Sequence, residues 1–179
     1  MSNGNSEFGN FNLENYKANG LVVAMNSWGE IEISPGETSK ISTVDLLDCT
    51  AIAFVTDKNN GNKLAYIQHF GPSKKSDSLS ALSEALDRHS QSIVGRSRVI
   101  ILYPSKPNLN STDVNGLEIN DLGFSLLASE VCLRKLGPET DLDINPYMIS
   151  ESTTYKDDSL TIEIEKDGSY SIGLFSNLN

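Results

Sequence analysis

The chain carries two cysteines, Cys49 and Cys132, and two histidines, His69 and His89. A thiol and an imidazole are side chains suited to nucleophilic and general-base work near neutral pH. Cys49 and His69 stand 20 positions apart. Cys49 to Asp57 reads as a strand, Asn59-Asn60-Gly61-Asn62 as a hairpin turn, and Lys63 to Phe70 as the returning strand, closed by Gly71-Pro72. A loop from Lys58 to Asn62 sets Asp57 opposite Lys63 and His69 opposite Ala51. Cys49 is then a diagonal neighbour of His69 on the same face. A loop shorter by one residue sends the two side chains to opposite faces.

If the pair meets, the imidazole takes the thiol proton and the resulting ion pair favours the thiolate. The thiolate attacks an amide carbonyl, and the imidazolium protonates the departing nitrogen. Such general acid–base help contributes roughly 10²–10⁴-fold. Backbone N–H groups near Cys49 are candidates to hold the oxyanion. The structural reading of the same residues is a small core thiol at a strand end and a histidine packed against Pro72. Cys132 shares a helical face with Phe124, Ala128 and Leu136 and reads as core. His89 reads as the edge of a core. Gln68 points to the face opposite His69. Asp45 and Asp48 read as a solvated loop, or as selectors of a substrate with basic neighbours.

The elements that must position these residues are many strands and two helices. Before Cys49, Gly20 to Met25, Glu30 to Ser34 and Lys40 to Leu47 read as extended. After the hairpin, Ser76, Asp77 or Ser78 offers an N-cap, and Leu79, Leu82, Leu86 and Ile93 make one apolar stripe at helical spacing. Val99 to Tyr103 reads as a short buried strand. Asn120 or Asp121 caps a second helix that Gly137-Pro138 ends. Leu160, Ile162 and Ile164 alternate on one arm of a closing hairpin turned at Asp167-Gly168. Helices and strands do not alternate regularly. The expected class is α+β, with a mixed, largely antiparallel β-sandwich core flanked by two main helices.

A length of 179 residues suits one domain, predicted over residues 19–179 behind a flexible tail, residues 1–18, rich in Asn, Ser and Gly. The formal net charge is −10, which suits neither nucleic-acid phosphates nor an anionic membrane. No stretch approaches a membrane span, and no signal peptide is visible. The expected location is cytoplasmic, or a host or target cell reached without a cleaved signal. The Cys/His spacing matches no metal site, and no cofactor is expected.

The segment Lys40-Ile-Ser-Thr-Val-Asp-Leu-Leu-Asp-Cys49, followed by Tyr66-Ile-Gln-His69-Phe-Gly-Pro72, resembles the chemoreceptor glutamine deamidase CheD. It is also similar to the catalytic cores of cytotoxic necrotizing factor and the Burkholderia lethal factor. Thr43 stands six positions before Cys49, as that superfamily places its threonine. Asp48 stands where the superfamily has Gly or Ser. The resemblance implies a CheD-like domain acting on a protein that carries a target glutamine. Cys49 would be the nucleophile, His69 the base, and Thr43 the group that orients His69, with Ser42 an alternative hydroxyl. A toxin or effector setting fits that resemblance. A transglutaminase, a thiol protease, or an inactive acidic binding module of the same fold remain open.

Overall fold

The computed structural model describes residues 20–44, 46, 49–71, 75–104, 112–114, 117–147 and 158–176. The tail, Asp45, Leu47, Asp48 and Pro72 lie outside them. The chain runs through strands β1 (Leu21–Val23), β2 (Ser27–Ile33), β3 (Ser39–Val44), β4 (Thr50–Lys58) and β5 (Lys63–Phe70) to helix α1 (Lys75–His89). Then come β6 (Ile93–Pro104), β7 (Thr112–Val114), β8 (Leu117–Ile119), α2 (Asp121–Leu136), β9 (Thr140–Tyr147), β10 (Asp158–Ile164) and β11 (Tyr170–Ser176). The class is α+β, with two helices and two mixed, mostly antiparallel sheets among the described residues. One sheet has the order β1-β3-β10-β11, the other β2-β5-β4-β6-β9, and β7-β8 form a separate pair. The parallel pairs are β1 with β3 and β6 with β9.

The five-stranded sheet is buried on both faces, which explains the unbroken apolar run at the start of β4. Ala51, Ala53 and Val55 of β4, with Ala65 and Ile67 of β5, face the other sheet and share a core with Ile41, Leu160 and Ile162. Ile52, Phe54, Tyr66 and Phe70 face the helices and pack with Leu82, Leu86, Phe124, Ala128 and Cys132. The division by size matters for the site. Alanines toward the second sheet leave room for β3 to approach β5, while the aromatics fill the wider space under the helices. Phe54 stacks on Tyr66 at 4.8 Å, and Phe70 meets the edge of Phe124 at 5.0 Å. The second contact ties the end of β5 to α2; such pairs contribute about 0.5–1.5 kcal/mol beyond area burial.

The closing hairpin, β10 with β11, turns where Asp167-Gly168 predicts, with Gly168 at φ 81°. Helix α2 starts as its sequence predicts. The Asn120 side-chain oxygen accepts from the Gly123 N–H at 2.8 Å, a cap worth about 0.5–2 kcal/mol.

Helix α1 differs from the expectation in two ways. It begins at Lys75, so Ser76 to Ser78 lie within it and do not cap it. It also ends at His89, and Ile93 opens β6. The reason is local. Ser90 Oγ donates to Asp87 O at 3.0 Å and Ser92 Oγ to His89 O at 2.9 Å. The backbone turns with them: the Ser90 N–H returns to Asp87 O and the Ser92 N–H to His89 O, three-residue turns that leave the helical i→i−4 ladder. As a result β6 runs from Ile93 to Pro104 and is not confined to Val99–Tyr103. Strand β9 and the β7–β8 pair are not anticipated by the sequence reading. In β9, Leu142 and Ile144 alternate with Asp141 and Asp143, and Pro146 sits on an edge strand, where a missing N–H is tolerated. Helix α2 is the crossover that makes β9 parallel to β6.

No described helix is long and apolar enough to cross a membrane.

Candidate functional site

The start of β4, the end of β5, the start of β2 and the ends of β1, β3, β6 and β9 converge at one end of the molecule. Ala51 pairs with His69 across β4–β5, and Ser27 pairs with His69 across β2–β5. This is the register of a loop from Lys58 to Asn62. Cys49 lies one residue before β4, two positions from the residue opposite His69. Strand alternation, continued one residue beyond β4, would set it diagonally to His69.

His69 is 1% exposed and Thr43 is fully buried. Thr43 reaches His69 from the other sheet. Its Oγ1 lies 2.8 Å from His69 Nδ1 and donates to the Val23 carbonyl at 2.7 Å. A hydroxyl has one proton. Thr43 gives it to Val23 O, so toward the imidazole it accepts. Nδ1 therefore carries hydrogen, and the lone pair of the neutral ring lies on Nε2, as a general base requires. Ser42, the alternative hydroxyl, is excluded. It pairs with Val22 and Thr161, and alternation turns it to the face opposite Thr43.

Replacing Thr43 with valine keeps the shape but leaves the Nδ1–H and Val23 O without their shared partner. We expect a loss of about 1–3 kcal/mol in stability. If His69 acts as a base, losing the group that fixes its tautomer should also slow turnover, as losing the partner of a metal-bound histidine does by roughly 10–100-fold. Denaturant unfolding and turnover measured on Thr43→Val and Thr43→Ser check this. Thr43→Ser retains the hydroxyl and should recover most of the loss, which a merely space-filling role would not produce.

Three further residues complete the site, none of them singled out in the sequence. Tyr147, at the end of β9, clamps the Cys49 backbone. Its OH accepts from the Cys49 N–H at 3.1 Å and donates to Cys49 O at 2.7 Å. The Cys49 N–H, expected as a possible oxyanion donor, is thus engaged by a phenol in this state. Asn26 occupies the turn between β1 and β2 at φ 60°, a left-handed conformation that asparagine tolerates better than most residues. Its Oδ1 accepts from the Gly71 N–H at 2.9 Å. A Cβ on Gly71 would lie 2.5 Å from that oxygen, so this approach needs glycine. Met25, in the same turn, brings its Sδ to 3.6 Å from Cys49 Sγ. For Asn26 the available signal was an Asn between two strand-like runs, which is not specific; Tyr147 had none, because β9 was not anticipated.

The other candidates fall elsewhere. Cys132 is fully buried in the helix-side core, and burial pushes its thiol up to about 12. His89 lies at the end of α1, its Nε2 3.2 Å from Glu30 Oε2. Gln68 faces the helices and accepts from Tyr66 OH at 2.6 Å. Among the described residues no three His, Cys, Asp or Glu side chains gather as a metal site. A large open groove of about 910 Å³ lies at the opposite end, lined by Glu30, Glu32, Glu37, Glu163, Lys40 and Lys166 among others. Neither the cysteines nor the histidines line it.

No protein-family model matches the chain, and no curated protein sequence matches it. Among solved structures it is similar to the C-terminal domain of CNFy from Yersinia pseudotuberculosis, with a TM-score of 0.30 and 12% identity. That match covers 87% of this chain and 61% of the other, so the chain spans about three fifths of that domain's length.

Proposed function

We propose that the chain is a cysteine-dependent protein-glutamine deamidase of the CheD-like kind, with Cys49 as nucleophile, His69 as base and Thr43 as the residue that positions His69. The observation that carries this reading is the Val23 O–Thr43–His69 relay. It orients a buried imidazole in the tautomer a base needs, at the end of the hairpin where Cys49 also lies.

In the proposed reaction His69 Nε2 takes the Cys49 proton and Sγ bonds to the side-chain amide carbon of the target glutamine. When the tetrahedral adduct collapses, the C–N bond breaks and the imidazolium protonates the nitrogen, which leaves as ammonia. A water then gives its proton to Nε2 and adds to the thioester. The C–S bond breaks, Cys49 recovers its proton, and glutamate remains. The order Thr43, Cys49, His69 resembles that of the deamidase superfamily, and a protein substrate is the class that resemblance implies.

The test is incubation with a panel of unfolded and folded glutamine-containing proteins, following ammonia release and locating new glutamate by mass spectrometry. Ammonia with intact chains supports the deamidase. Incorporation of an added primary amine would redirect the reading to a transglutaminase, and backbone cleavage to a protease. Cys49 being only 3% exposed favours a second reading, a binding module that has kept the fold without the chemistry. Absence of turnover on every substrate, together with an inert thiol, would select it.

A further inference from the structure

The thiol of Cys49 is enclosed although it lies at an open end of the fold. Cys49 is 3% exposed, whereas Met25, whose Sδ is 3.6 Å away, is 56% exposed. Met25 thus presents more than half of its surface to solvent while its Sδ rests against the Cys49 sulfur. The backbone beneath it is held firmly. Ser27 N–H returns to Ala24 O at 3.2 Å, and Asn26 is tied to Gly71. The Met25 side chain is not held in that way. It has three rotatable bonds and a soft thioether, and exposed side chains of this kind change rotamer quickly. A rigid turn carrying one adaptable side chain over a buried nucleophile is the arrangement of a gate.

We infer that Met25 is the side-chain gate of the Cys49 site and determines which electrophiles reach the sulfur. A substrate opens it by displacing the thioether, while the Asn26–Gly71 tether keeps the turn in place. Small electrophiles slip past the closed side chain; an extended group must push it aside. Gating acts by shape, so leucine at this position should serve almost as well as methionine and alanine should not. The inference rests on the reading of Cys49 as a nucleophile, but it concerns access and not proton transfer.

The two are separable by one set of measurements. Cys49 is alkylated with iodoacetamide and, separately, with fluorescein maleimide, in the native chain and in Met25→Ala, Met25→Leu and His69→Asn. Mass spectrometry locates the label, and buried Cys132 serves as the internal control for unfolding. A gate whose open form is a minor state of about 10% or less holds the reaction down by a similar factor. Met25→Ala should therefore speed fluorescein maleimide about tenfold or more. It should speed iodoacetamide much less and leave the shape of the pH profile unchanged. Met25→Leu should react at the native rate. Equal rates in the native chain and Met25→Ala with both reagents would overturn the gate, as would Met25→Leu reacting as fast as Met25→Ala. An unchanged profile in His69→Asn would count against the nucleophile reading alone and leave the gate standing.

Discussion

Cys49→Ala is expected to remove ammonia release altogether, a loss on the order of 10⁶-fold where a covalent hydrolase loses its nucleophile. The other thiol, Cys132, is fully buried on the opposite side of the five-stranded sheet. The fold should survive. The change removes one sulfur and its contact with Met25, and the Tyr147 clamp holds only backbone atoms of residue 49. A cost of about 1 kcal/mol lowers the melting temperature of a chain this long by roughly 2–4 °C. Turnover and thermal unfolding measured on the same preparation check both halves. Undiminished ammonia release from a folded Cys49→Ala protein would falsify the assignment of the nucleophile.

The second large effect belongs to His69. His69→Asn is expected to slow turnover by roughly 10²–10⁴-fold, the usual contribution of a general acid–base. Asparagine is the informative choice because its amide N–H can still donate to Thr43 Oγ1. The buried relay to Val23 then keeps a partner while the basic nitrogen is lost. Alanine would remove the base and also leave a cavity beside a fully buried threonine, mixing a folding defect with a chemical one. The pH dependence separates a base from a structural histidine. Below about pH 8 an ordinary thiol is mostly protonated and slow. If His69 takes the Cys49 proton, native alkylation stays fast there, and His69→Asn shifts the rise in rate to higher pH. Equal profiles in the two proteins, with equal turnover, would leave His69 a core residue.

The two variants together also distinguish the enzyme from a binding module. A module loses neither affinity nor biological effect with either change, because both side chains lie beneath the surface. An enzyme loses effect with both.

Much of this was legible because it is local. The unbroken apolar run at the start of β4, the Asn59–Asn62 turn and the second run of β5 specify a hairpin, and its register follows from the loop length. The four-residue recurrence of Phe124, Ala128, Cys132 and Leu136 specifies one face of α2, and Asn120 specifies where it starts. The end of α1 was misread because Ile93 matches a helical stripe. The chain leaves the helix through i→i−3 backbone turns at Ser90 and Ser92, which periodicity does not register.

For the site, the sequence narrowed Cys49 and His69 to two arms of one hairpin and left the face open to the loop length; the observed register, Ala51 opposite His69, is that of the five-residue loop. Antiparallel arms with a defined loop can meet in few ways. Only the tertiary structure decided between Ser42 and Thr43, because that choice depends on which face β3 turns to a strand of another sheet. Only it placed Tyr147 on the backbone of Cys49, 98 positions away, and Met25 over the sulfur. Hairpin contacts are set by the chain's own short-range geometry. Contacts between sheets, and across the α2 crossover, are set by which buried faces fit together, and no local spacing encodes that.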